Sequence, residues 1–529
     1  MMRFILKALI GCLSFSLVCS DAYSAEAKNC DEEKPNVVFL ISHCLGFSDL
    51  GCYGGEIDTP NLDKLAAKGV RFINANNQCS RTPSMVHLIS GLDPHRLGNI
   101  EGTKKGYLKT INKTKGEFPH HNLPELFAKA GYKTVISGKP YGWSPELIGF
   151  QEREGVSQDK VTLVWKDGKP PKDRDATKDD VVYADEQGSL ELAKWIQNTD
   201  GPFFAMWMTR FSMYGLFAKD ADIAKYHAQY QKPATQIAEA RYRKAVELGV
   251  LSSDWPWKNP VEQDEAVVGS RNATIFTDAD LVADPDWKPG YGLAGVRQPK
   301  DFGELMAVYA AQTHALDRSA GHILKALEEK GISENTIVVF LVLQGADAHS
   351  GSKGNTWAKV TATPFTGKRR TSYSGGITTP QIFSWPAKIS DAGKGSINPT
   401  NSNLGDWMPT LLSAAGIAYP EKDGEGRSVL QADGKNLLPT LNGKTVATTL
   451  ENAVCHEILT NKAVITDDWK WVGKGSNAVL YNFKTDRLET KDVSKDHPDI
   501  AKQMAEKYKA WSDEVGADPD FYAPKKKKK

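Results

Sequence analysis

The chain has 529 residues, with 66 Lys+Arg against 65 Asp+Glu, 40% apolar and 25% charged residues. That balance excludes a chain disordered throughout and a basic coat for nucleic acid, so no nucleic-acid partner is expected. At about 100–200 residues per domain, the length predicts two or three domains with room for a large buried sheet.

Residues 1–27 stand apart. Arg3 and Lys7 precede an apolar stretch from Ala8 to Cys19, followed by the small residues Ala22, Ser24, Ala25 and Ala27. The stretch falls short of the roughly 20 residues that span a bilayer, so it reads as a secretory signal peptide and predicts a secreted or periplasmic protein. Leu9-Ile-Gly-Cys12 also resembles a lipoprotein cleavage box, behind an apolar run that is too short. No other long apolar run follows, and no transmembrane segment is expected. Beyond residue 27 the cysteines are Cys30, Cys44, Cys52, Cys79 and Cys455, an odd set that leaves at least one thiol unpaired within the chain.

In chain order, Val37–Ile41 is a continuous β-branched and aromatic run, the kind that suits a strand buried on both faces of a parallel sheet. Thr59 and Pro60 then predict an N-cap and first turn, with Leu62, Leu65 and Ala66 on the buried face and Gly69 as the stop. Further strands are expected at Thr134–Ser137, Phe203–Met208 and Ile337–Leu343. A helix over Asp222–Leu248 should break at Pro233, and another should run from Glu304 to Lys330. Residues 252–303, with Trp255, Trp257 and Trp287, read as an irregular insertion. After Ser396 the elements shorten: a helix at Asp406–Ala415, strands near Ala463–Ile465 and Trp469–Val472, and a helix at Pro498–Val515. Alternating strands and helices give an α/β domain over 34–395 with a mostly parallel sheet between helices, then a small α+β domain over 396–520. A solvated basic tail occupies 521–529.

Lys34-Pro-Asn-Val-Val-Phe-Leu-Ile41, Leu45-Gly-Phe-Ser-Asp-Leu-Gly-Cys-Tyr-Gly-Gly55 and Thr59-Pro-Asn-Leu-Asp63 closely resemble the start of the sulfatase family, in its arylsulfatase branch. The likeness continues through Gly131-Tyr-Lys-Thr134, Gly138-Lys139, Glu239-Ala-Arg-Tyr242, Thr363-Pro-Phe365, Gly375-Gly-Ile377 and Met408-Pro-Thr-Leu-Leu412. It implies an alkaline-phosphatase-like α/β domain carrying the active site and a smaller domain with an antiparallel sheet. It also implies a calcium cofactor held by acidic and amide side chains, a cysteine converted to formylglycine as the nucleophile, and lysine and histidine at the leaving oxygen.

The positions that would carry this chemistry depart from the family pattern. His43 and Cys44 stand where two adjacent aspartates are expected, and Leu343 and Gln344 where Asp-Asn is expected. A hard calcium ion needs anionic oxygen ligands that imidazole and thiol do not supply. Anchoring on Pro83 and Ser84 places Arg81 at the nucleophile position and Met85 at the motif arginine, with Cys79 two residues out of place. Lys139 is kept, Tyr141 and Met213 stand for histidines, Arg369 aligns with a lysine, and Ser374 stands for a glutamate. Without a convertible cysteine or a ligand cluster, sulfuryl transfer lacks its nucleophile and Lewis acid.

The expectation is therefore a pseudoenzyme of a hydrolase family, with Arg81, Lys139 and Arg369 cradling a sulfated or phosphorylated small molecule or glycan. One alternative is an active sulfuric ester hydrolase in which His43 and Cys44 hold a softer metal together with Asp347 or His349. Another is a glycan-binding scaffold using exposed Trp255, Trp257 and Trp287. Separately, His456-Glu457 resembles a family block of the C-terminal domain, which implies a side chain approaching the pocket rim and a role in substrate selection.

Overall fold

The run at 37–41 lies in strand β1, Asn36–Ser42, which is buried along its whole length in the computed structural model. The structure describes residues 34–97, 120–138, 145–154, 163–166, 171–172, 175–211, 216–261, 275–283, 300–346, 356–474 and 477–517. Successive side chains of a strand point to opposite faces. Val38 and Leu40 therefore enter one hydrophobic cluster, while Val37, Phe39 and Ile41 enter the other. Both faces being covered explains why the run does not alternate.

Seven more strands complete this sheet: β2 (Val70–Asn76), β3 (Lys133–Ser137), β4 (Glu152–Glu154), β5 (Phe203–Met208), β6 (Thr336–Val342), β7 (Gln381–Ser384) and β8 (Ile397–Asn403). Their order across the sheet is β8-β2-β7-β6-β1-β5-β3-β4. β1 lies parallel to both β6 and β5, and β7 alone runs antiparallel to its neighbours β6 and β2. The expected α/β class with a mostly parallel sheet is observed. β8 pairs with β2, so residues 397–403 belong to the large sheet although the sequence places them in the small domain.

Six helices matter for positioning this sheet and its loops: α1 (Pro60–Ala67), α2 (Arg81–Ser90), α3 (Ala184–Asn198), α4 (Ala234–Glu247), α5 (Phe302–Glu329) and α6 (Trp407–Ala415). α5 packs along α3 on one face of the sheet. On the other face the Trp407 ring of α6 meets Phe39 and Phe383 edge-on, at 6.2 and 5.1 Å between centroids. The break expected at Pro233 is present, since a helix ends at His227 and α4 starts immediately after the proline. Pro60 opens α1 as predicted, but Thr59 does not cap it. Its hydroxyl instead accepts from the Gly51 amide and donates to Asp63.

The second, antiparallel sheet is a four-stranded meander: β9 (Val454–Ile458), β10 (Asn461–Ile465), β11 (Trp469–Lys474) and β12 (Asn477–Asn482). Helix α7 (Pro498–Val515) lays Met504 and Tyr508 against Trp471 and Leu480 of this sheet. Trp255 and Trp257 are half-buried against the main core, and Trp257 stacks on Tyr242 with centroids 4.1 Å apart. The open exposure that a sugar-stacking role requires of this pair is therefore not observed. Trp287, residues 1–27 expected to form a signal peptide, and residues 521–529 lie outside the described residues. Among the described residues, no helix is long and apolar enough to cross a membrane, and Cys44, Cys52, Cys79 and Cys455 are buried and unbridged.

Candidate functional site

β1 and β6 are parallel neighbours in register, with Ser42 opposite Val342. The residues that follow each strand therefore emerge side by side, and the Leu343 amide still bonds the Ser42 carbonyl. At this edge α2 begins, with Ser80 as its N-cap residue and Arg81 as its first helical residue. Four of the residues singled out from sequence meet here. Gln344 accepts a hydrogen bond from the Arg81 amide at 3.3 Å and donates to the Cys44 thiol at 3.3 Å. The Arg81 guanidinium reaches the Nε2 atom of His43 at 3.5 Å. His43, Cys44 and Gln344 are buried, while Arg81 is half-buried.

A helix N-terminus carries partial positive charge and unpaired amides. Gln344 supplies a neutral acceptor to one of those amides, and Arg81 adds a full positive charge at the same end. Arg369 belongs to the same neighbourhood through its backbone, whose amide bonds the carbonyl of Ala346 at 2.8 Å. Arg370, in a left-handed conformation, bonds the carbonyl of Cys79.

Leu343 and Met85, two other positions singled out, do not join this polar group. Both are buried in the same hydrophobic cluster as Ile41 and Val86. Cys79 is held at φ 56° and is buried with Ile377 and Val454 in the small-sheet core. His456 and Glu457 are buried rather than placed at a rim. His456 bonds Gln78 and Glu457 accepts from Tyr508. Lys139, Tyr141 and Met213, and likewise Asp347 and His349, lie outside the described residues.

Calcium, the cofactor the resemblance implies, does not fit the donors gathered here. An imidazole, a thiol and one carboxamide offer no carboxylate oxygen, and the Leu343 side chain is in the core. Among the described residues no three His, Cys, Asp or Glu side chains converge to hold any metal.

The matched sequence blocks surround the site and serve packing. Arg241 of α4 is fully buried, its Nη1 2.7 Å from Asp49 Oδ1 and its Nε 2.6 Å from Glu56 Oε2. Asp49 also accepts from the Gly46 amide at 2.6 Å and from the Tyr309 hydroxyl. Burial pushes the Asp49 carboxyl up to about 6 in spite of the guanidinium beside it. Gly46 has no room for a side chain, because a Cβ there would lie 2.0 Å from the Thr361 carbonyl oxygen. This network fixes the loop that leaves β1 and hence the placing of His43 and Cys44.

A second buried network joins the small sheet to Ser374, the position where the family glutamate is expected, and to Asn74 of β2. Glu489 forms an ion pair with Lys470 at 2.5 Å and accepts from the Ser374 amide and hydroxyl at 3.0 and 2.9 Å. Arg487 donates to Ser374 and to Asn74, and its guanidinium lies over the rings of Phe483 and Phe365 at 4.4 and 4.9 Å. Burial pulls the Arg487 guanidinium down to about 10 and also lowers Lys470.

A mostly parallel sheet with polar side chains gathered where two central strands end beside a helix N-terminus is the alkaline-phosphatase-like arrangement. Residues 35–417 match the sulfatase family model, and the chain belongs to the sulfatase family. It is 26% identical to the arylsulfatase of Klebsiella aerogenes over 82% of this chain and 96% of that one. A sulfatase of Schizosaccharomyces pombe is 24% identical over 94% of this chain and 97% of its own. Among solved structures, a protein in complex with its substrate D-glucosamine-2-N,6-O-disulfate superposes with a TM-score of 0.65 at 18% identity, covering 92% of this chain and all of that one.

Proposed function

We propose that this sulfatase-family protein binds a sulfated or phosphorylated small molecule or glycan without hydrolysing it by calcium and formylglycine chemistry. The reading takes the protein as exported, in keeping with the character of residues 1–27. One observation carries it: Arg81 stands at the first position of α2, 3.5 Å from His43 and bonded through its amide to Gln344. The place where the family would generate charge by a metal and a modified cysteine is held by a permanent cation at the positive end of a helix.

A cation at a helix N-terminus is unfavourable by roughly 0.3–1 kcal/mol, and a tetrahedral oxyanion between the guanidinium and the first-turn amides reverses that sign. Arginine's planar fork suits two oxygens of a sulfate or phosphate. Arg369 and Lys139 complete the cradle in this reading. The loss of carboxylates at 43, 44 and 343 removes the calcium, and with it the negative field that would repel an anion bound by arginine alone.

Titration calorimetry with a sulfated disaccharide tests the reading. Binding should weaken at least tenfold in the Arg81→Glu/Arg369→Glu variant and fall steeply with added salt. Equal affinity in wild type and variant would remove the cradle.

A further inference from the structure

Three polar side chains, two beside or within α2 and one from the small sheet 378 positions from Gln78, form a continuous buried chain. His456 of β9 bonds Gln78 Oε1 through Nδ1 at 3.2 Å, and Gln78 Nε2 meets His87 Nδ1 at 2.7 Å. Both histidines and Gln78 are buried. His456 Nε2 has no hydrogen-bond partner among the described residues. The Gln78 amide donates to Ser84 Oγ at 2.9 Å, which wraps this residue onto the first turn of α2 three positions before Arg81.

We propose that Gln78, His87 and His456 form a proton-operated switch at the joint between α2 and the small sheet. The carboxamide has two orientations, and each fixes a different set of protons. In the neutral state His456 donates from Nδ1 to the Gln78 oxygen, and the Gln78 amide group donates to the lone pair on His87 Nδ1. When His87 takes a proton from solvent at Nδ1, the carboxamide must turn so that its oxygen accepts from that new N–H. Its NH2 group then faces His456 Nδ1, which becomes an acceptor, and the proton of His456 moves to Nε2. That atom is buried without an acceptor, so the acid state forces the joint to open or to admit water. A second proton would leave two imidazolium rings competing for one oxygen.

Burial opposes a charge on either ring, and the Asp93 carboxylate favours one without outweighing it. His87 faces Asp93, its Nε2 edge rests against the backbone of Gly405, and the neighbouring Asp406 is engaged with Asn403 and Lys435. Glu125, on the adjoining helix, is taken up by His121 and Lys129. His456 faces Lys470 of β11, together with His87, Asp93 and His95. Asp93 itself is bound to His95 at 2.9 Å. Burial pulls His87 down to about 4 and His456 to about 3, so both are neutral in the closed state at physiological pH. The inference stands whether or not Arg81 binds an anion.

Hydrogen exchange of the full chain, corrected for intrinsic rates, tests it at pH 7.5 and 5.0. Freed histidines titrate near their ordinary value, so opening of segments 76–90 and 454–465 should become about 30-fold more favourable per histidine on acidification. The comparison is with His87→Gln/His456→Gln, which keeps Asp93, His95, Glu457 and Lys470 and therefore cancels their titration. The wild type should lose protection far more than this variant in those two segments, and no more than it in 336–342. Equal acid sensitivity in the two proteins would overturn the switch. Gln78→Glu is an independent check should the double variant not fold. A carboxylate accepts from both rings at once, so the closed state can take up the proton and the acid-driven opening should shrink at least tenfold. Full retention of the opening in Gln78→Glu would equally overturn the proposal.

Discussion

Replacing Arg241 by methionine isolates the network that holds the loop leaving β1. Methionine keeps much of the side-chain volume but removes the donors to Asp49 and Glu56, leaving Asp49 buried with only the Gly46 amide and the Tyr309 hydroxyl. Removing one partner of a buried ion pair costs about 3–5 kcal/mol, because the other charge stays behind uncompensated. The cost should depend on pH in a defined direction. Asp49 has a folded value of about 6 against an ordinary 3.8, so the stability it contributes is complete below about 3.8 and lost as pH rises through 6. Without Arg241 the folded value moves higher still, and a protonated, neutral Asp49 is tolerated over a wider range. The penalty of Arg241→Met should therefore be larger at pH 7.5 than at pH 5.5, by on the order of 1–2 kcal/mol. Urea unfolding followed by tryptophan fluorescence at both pH values reads the difference. Adding Asp49→Asn should recover part of the loss at pH 7.5. A penalty below about 1 kcal/mol, or one that grows on acidification, would refute the account of this network.

Glu489→Gln should destabilise the protein by about 3–5 kcal/mol, since Lys470 is then buried without a counter-charge. The drop in Tm should be accompanied by faster hydrogen exchange in β9–β12. Lys470→Met/Glu489→Leu should be closer to wild type than either single change, a pattern that a double-mutant cycle reads directly. Gly46→Ala should prevent soluble expression or lower Tm sharply, because the added Cβ would meet the Thr361 carbonyl at 2.0 Å. In the wild type, millimolar calcium should leave Tm unchanged, whereas Cys44→Asp/Gln344→Asp should gain a calcium-dependent rise in Tm by linkage.

The central strands were legible from the sequence because β1, β5 and β6 are covered on both faces and so read as uninterrupted apolar runs. β8 was not, for a physical reason. Its sequence, Ile-Asn-Pro-Thr-Asn-Ser-Asn, has no apolar pattern, and it is secured by side chains: Asn74 donates to the Pro399 carbonyl and Asn76 to that of Ser402. At the site, the resemblance brought positions 43, 44, 81 and 344 together, since family blocks carry register information that composition lacks. The same alignment could not show that Leu343 and Met85 turn into the core, which depends on the facing of each residue at a strand end and on a helix. Gln78, His87 and His456 also stayed hidden. Residues 78 and 456 are 378 positions apart and join only when the small sheet docks on α2. The Lys470–Glu489–Ser374–Arg487 network is invisible for the same reason, although four buried polar side chains with their partners satisfied are what a stable joint between two sheets requires.

The claim that the family chemistry has been replaced by a cationic, metal-free site is tested most directly by metal analysis of the purified protein combined with turnover of a chromogenic aryl sulfate, with and without added calcium and zinc. Substoichiometric metal and no turnover are expected under all of these conditions. Calcium near one per chain together with hydrolysis would contradict it, and would mean that ligands and a nucleophile other than those at positions 43, 44, 343, 344 and 81 carry the reaction.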